Sequence, residues 1–126
     1  MLVPKFLLQR LWVKNSLSRT SPTTVAFTLE NPFLLGHLIG VEALSINQTA
    51  VNLATLQFVT NNQPPVSLSQ LSLEAPLAVN HKQSVVFQFN YPEPVVAGKL
   101  TVALTAVSKE TGAMSIVLED TLVNPV

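Results

Sequence analysis

Apolar residues alternate with polar ones along most of this chain, and a period of two suits strands rather than helices. Over residues 23–30, Val25, Phe27 and Leu29 lie on one side and Thr24, Ala26, Thr28 and Glu30 on the other. Residues 84–91 set Val85, Phe87, Phe89 and Tyr91 against Ser84, Val86, Gln88 and Asn90. Residues 99–108 place Leu100, Val102, Leu104 and Ala106 on one face, and 114–122 repeat the pattern with Met114, Ile116 and Leu118. Each run reads as a strand with one face on a core and one in water.

Chain breakers fall between these runs. Pro22, Asn31-Pro32, Gly36, Gly40, Pro64-Pro65, Pro76, Pro92, Pro94, Gly98 and Gly112 all sit outside the strongest alternation. Lys109, Glu110, Thr111 and Gly112 read as the tip of a hairpin joining the last two strands. Residues 41–47 read as a short strand, and one helical turn fits 33–38. The parity of the apolar positions changes within 50–60 and within 66–74, which predicts β-bulges there. The expectation is an all-β, immunoglobulin-like antiparallel β-sandwich of about seven to eight strands. It forms a single domain over residues 1–126. Its expected core holds Val25, Phe27, Leu29, Leu44, Ile46, Val85, Phe87, Phe89, Leu100, Val102, Leu104, Ile116 and Leu118.

The N-terminal run, residues 5–13, is apolar on both sides: Phe6, Leu8 and Trp12 against Leu7, Leu11 and Val13. A strand with two apolar faces needs cover on both. Either it crosses between the sheets, or it pairs with another chain by strand addition. Residues 1–14 are therefore the candidate inter-subunit connector, with Phe6, Leu8, Leu11, Trp12 and Val13 as interaction candidates.

Charge is scarce. Only 11% of the 126 residues are charged, against about 25% in an average globular chain. A surface of hydroxyls and amides repels neighbours weakly and suits an assembly subunit or a chain outside the cytosol. Lys5, Arg10, Lys14 and Arg19 all precede the first acid, Glu30, so the first 29 residues carry +4 and the rest −4. Four cations that far apart, with one Trp, make no nucleic-acid footprint. The absence of cysteine removes disulfides and thiolate chemistry. No run of 18 apolar residues predicts a membrane-spanning helix, and residues 1–8 lack the three-part signal-peptide pattern.

The chemistry-bearing residues are scattered. His37 and His81 lie 44 positions apart and read as exposed loop residues. Of the seven acids only Glu119 and Asp120 are adjacent, and adjacent strand residues point to opposite faces. No nucleophile elbow, phosphate loop or dinucleotide fingerprint occurs. No catalytic residue, metal site or cofactor is expected, and the chain does not read as an enzyme. Asn47-Gln48-Thr49 is a glycosylation sequon in a turn. Asn31-Pro32 directly follows an alternating strand and reads as a corner that turns the chain out of its sheet.

Residues 4–9, the run 25–33 ending in Asn31-Pro32-Phe33, and the run 39–47 together resemble the water-stress-and-hypersensitive-response (WHy) domain of the group 2 late-embryogenesis-abundant (LEA) proteins. Phe33 and Gln48 depart from that pattern. The resemblance implies a non-enzymatic sandwich tied to stress protection or placed near a membrane. The expected function is thus a structural or interaction module, an assembly subunit or a stress-type domain. The alternative is a carrier that holds an apolar ligand or lipid between its sheets. The expected partners are other protein chains, including further copies of this one; an extracellular or cell-envelope location is favoured over the cytoplasm.

Overall fold

The computed structural model describes residues 10–14, 16–21, 23–31, 35–60, 63–91 and 99–121, with the side chains at 20 and 35 excepted. Ten strands occur among them: β1 (Ser18–Ser21), β2 (Thr24–Glu30), β3 (Leu35–Ile46), β4 (Thr49–Ala50), β5 (Gln57–Val59), β6 (Val66–Ser67), β7 (Leu77–Asn80), β8 (Ser84–Asn90), β9 (Lys99–Ser108) and β10 (Gly112–Thr121). They form two antiparallel sheets of five strands. The first runs β1-β2-β8-β5-β6. The second runs β10-β9-β3, and β3 shares its other edge between β7 and β4.

The alternation becomes the two inner faces. Val25, Phe27, Leu29, Val85, Phe87 and Phe89 are buried from the first sheet, and Leu44, Ile46, Leu100, Val102, Leu104 and Ile116 from the second. Leu118 is partly buried against them. Phe58 and Leu56 are fully buried too, although neither lies in a clean alternating run.

The expected bulges over 50–60 and 66–74 are instead single turns of 3-10 helix at Leu53–Thr55 and Leu68–Gln70. Each is held by a local polar cap. Asn52 Oδ1 accepts from the amide of Ala54 at 3.1 Å, and Gln70 Oε1 accepts from the amide of Ser67 at 2.8 Å. Such side chains offer the backbone an alternative to the ladder. Register slips fall instead between Arg19 and Ser21 in β1 and, against β9, between Leu38 and Gly40 and between Val41 and Ala43 in β3. The slip between Val41 and Ala43 moves the buried parity from Val41 to Leu44. β3 thus runs for 12 residues where the sequence suggests a short strand. Its first residues also replace the helical turn expected over 33–38; residues 33 and 34 lie outside the described part.

The described part of the expected N-terminal strand is not one. Arg10 and Leu11 have helical backbone, and Trp12 makes a single bridge to Leu29. Two apolar sides are satisfied here without a ladder: Leu11 enters the core, and Trp12 stacks on Phe27 at 4.7 Å between centroids. The Trp12 Nε1–H donates to Asp120 Oδ2 at 2.7 Å, which ties this segment to the second sheet. The amide of Val13 donates to the carbonyl of Thr28 at 3.1 Å.

Candidate functional site

The two sheets part at one end around a cleft of about 490 Å³. Hydrocarbon lines its depth: Leu11, Leu29, Leu38, Val85, Phe87 and Ile116. Its polar groups include Glu30, Asn31, His37, Ser108, Glu110 and Thr111.

The start of β3 and the turn after β9 meet at this rim. His37 lies on β3, not in a loop, and its Nδ1 is 2.6 Å from Glu110 Oε2. Glu110 Oε1 accepts from the amide of His37 at 2.9 Å and from Ser108 Oγ at 3.1 Å. The His37 carbonyl accepts from the amide of Lys109 at 2.9 Å. Both side chains are partly exposed, at 25% and 30%. Desolvation pushes the Glu110 carboxyl up, but the hydrogen bonds from the His37 ring, the His37 amide, Ser108 and its own amide outweigh it. Its pKa therefore lies below the ordinary glutamate value. An ionised carboxylate can only accept, so Nδ1 carries the proton, and Nε2 is left as the acceptor when the ring is neutral. Sequence reading missed this pair because its members are 73 positions apart. The one available signal was Glu110 inside a legible hairpin tip, where Gly112 adopts φ +75°.

Asn31 is buried beside the same rim. Its Nδ2 donates to the Val79 carbonyl at 2.7 Å. Its amide donates to the Gln83 carbonyl, and its own carbonyl accepts from Lys82. A Cβ at Gly36 would stand 2.9 Å from Asn31 Nδ2 and 3.2 Å from the Val79 carbonyl, so glycine is what lets β3 pass this close. Pro32 lies outside the described residues.

The remaining sequence-derived residues do not gather at the cleft. Of the N-terminal five, Leu11 lines it; Trp12 and Val13 lie along β2; Phe6 and Leu8 lie outside the described residues. Asn47 is exposed at a turn with φ 49°, and its Oδ1 accepts from the amide of Thr101 at 2.9 Å. His81 is on an exposed turn far along the chain from His37. No group of three or more His, Asp or Glu side chains able to hold a metal occurs among the described residues.

In class, the protein is a two-sheet antiparallel β-sandwich with an apolar cleft rimmed by an imidazole–carboxylate pair. Residues 7–123 match the family model described as hydroxymethylglutaryl-CoA reductase, N-terminal domain, and the chain belongs to that family. No curated protein matches it significantly.

That membership corrects several expectations. The likeness to the WHy domain of LEA proteins is overturned, and with it the reading as a stress-protection or assembly module, or as a carrier of an apolar ligand or lipid. The exclusion of any enzyme is corrected too: the family is that of a reductase's N-terminal domain. The features that suggested the stress family belong to the sandwich itself. An alternating strand that ends at Asn31, bonded to Val79, Lys82 and Gln83, serves any two-sheet fold.

Proposed function

We propose that this sandwich works as the N-terminal domain of a hydroxymethylglutaryl-CoA reductase, with the thioester-reducing chemistry carried by residues outside it. The observation that carries the reading is the family match, which runs over residues 7–123 and so takes in every strand of both sheets. The polar geometry supports it. Hydride transfer to a thioester needs groups free to hold a cofactor and to donate a proton to the developing oxyanion. Here Glu110 is spent on His37 and Ser108, and Asn31 on Val79. The deep wall of the cleft is hydrocarbon.

The test is reconstitution. The chain is assayed alone, and added to the catalytic portion of a hydroxymethylglutaryl-CoA reductase from the same source, with hydroxymethylglutaryl-CoA and a nicotinamide hydride donor. The expected result is no turnover alone, and a complex or a changed KM or thermal midpoint with the catalytic portion. Turnover by the chain alone, or no effect and no complex, would overturn the reading.

A further inference from the structure

We infer that β10 is a self-association edge: two copies of this chain join their second sheets by antiparallel pairing of β10 about a two-fold axis. The inference is independent of the reductase reading and concerns the outer edge of β10, a strand whose inner side chains Met114 and Ile116 also line the cleft.

Among the described residues β10 is the outermost strand of its sheet, and it pairs with β9 over ten consecutive positions with no slip in register. The other outer strands are blunted. β1 has four residues and a register shift between Arg19 and Ser21. β6 has two residues and follows Pro64-Pro65; β4 also has two. Proteins protect long edges with lysine, proline or a bulge. Between Gly112 and Leu118 β10 has none of these and no charge; its two acids, Glu119 and Asp120, stand at its far end. Its outward row is Ala113, Ser115, Val117, Glu119 and Thr121, all exposed. Val117 is 65% exposed, one of two large apolar side chains left so among the described residues. On the inner row Met114 and Leu118 are only half-covered, although Ile116 between them is buried.

A second copy is the occupant that this pattern fits. With Val117 opposite the partner's Val117, Ser115 faces the partner's Glu119, and Ala113 faces the partner's Thr121. Even positions then face even ones: the half-covered Leu118 meets the partner's Ile116, and Met114 meets the partner's Asp120. Both acids, Glu119 and Asp120, sit at one end of the strand. Antiparallel pairing carries the two acidic ends apart, whereas parallel pairing would set like charges side by side, which is unfavourable.

The chain contains no cysteine, so a single introduced thiol reports the register directly. Directly opposed residues in an antiparallel pair have Cα atoms about 4.5–5.5 Å apart, within the span a disulfide bridges. Under mild oxidation, Val117→Cys should give a covalent dimer, and Ala113→Cys, which faces the partner's Thr121, should not. Val117→Lys should weaken dimerisation about tenfold in sedimentation, as a lysine on an edge strand does. Its thermal midpoint at low concentration should match wild type, because the side chain is exposed. Equal cross-linking of the two cysteine variants, no cross-link at Val117→Cys, or a wild-type chain that stays monomeric through the high micromolar range would overturn the inference.

Discussion

The aromatic centre of the first sheet and the polar rim at the edge of the second are held by opposite means. At the centre, Phe27 stacks on Phe87 at 5.1 Å and meets Phe89 edge-on at 5.9 Å, and Phe58 meets Phe87 edge-on at 4.9 Å. None of these four rings is more than 1% exposed. At the rim, His37, Ser108 and Glu110 are joined by hydrogen bonds within reach of water. Burial of rings is worth kilocalories apiece, whereas a solvent-exposed polar pair is worth about 1 kcal/mol or less. Stability should therefore concentrate at the centre, and the rim should set the shape of the cleft mouth with little effect on the global fold.

Truncation at the centre gives the largest expected effect. Phe87→Ala should lower the unfolding free energy by about 3–5 kcal/mol in urea titration, as deletion of a buried ring does. Phe87 touches two other rings and also lines the cleft. A loss below about 1 kcal/mol would mean that the rings repack freely and that the contrast with the rim is false.

Trp12 tests the join between the two regimes, since its ring belongs to the aromatic centre and its Nε1–H to a polar contact. Trp12→Phe keeps most of the stacking and removes the donor from Asp120, which is buried. A buried acceptor that loses a partner costs about 1–3 kcal/mol. Thermal unfolding followed by circular dichroism suits the measurement, because the chain's single Trp is gone. If Asp120→Asn alone costs as much, and the double variant costs no more than either, the two groups act as one unit.

How much of this was legible follows the same divide. Phe27, Phe87 and Phe89 stand in strict alternation, so the period of two alone marks them for the core. Leu56 and Phe58 do not, because the 3-10 turn at Leu53–Thr55 resets the parity between Val51 and Phe58. That turn depends on an Asn52 cap whose signal is a single polar side chain. The bulge at Val41–Ala43 is likewise set by pairing with β9, a strand far later in the chain. The His37–Glu110 pair is invisible locally, because nothing near either residue in the chain announces the other. Family membership could not be read from periodicity at all, since any two-sheet sandwich shows the same alternation.

Gly36 sits where the Asn31 side chain crowds the rim. Gly36→Ala would bring a methyl group to 2.9 Å from Asn31 Nδ2 and 3.2 Å from the Val79 carbonyl. The side chain of Asn31 must shift and lengthen its bond to Val79, at an expected loss of about 1–2 kcal/mol. Pairing it with Asn31→Ala removes the clash, so the double variant should lose less than the sum of the two single changes. Strict additivity would mean that the Asn31–Val79 bond does not depend on this close approach.

The smallest effect is the one that depends on pH. Glu110→Gln removes the charge that orients His37 but keeps a similar shape, and exposure limits the loss at neutral pH to about 1 kcal/mol or less. Hydrogen bonds hold the folded-state pKa of Glu110 below its ordinary value against the upward push of desolvation. The unfolded chain therefore binds that proton more tightly than the folded one, and stability falls as pH falls. The contribution is fully present above the ordinary glutamate value and is lost as pH drops through the lower folded-state value. Glutamine has no proton to gain there. The gap in stability between wild type and Glu110→Gln should thus narrow steadily below the ordinary glutamate pKa, as measured by urea unfolding from neutral pH into acid. A gap that is constant through that range, or that widens in acid, would show that the carboxylate is not held by His37 and Ser108. The rim would then differ from the aromatic centre only in exposure, not in the kind of force that closes it.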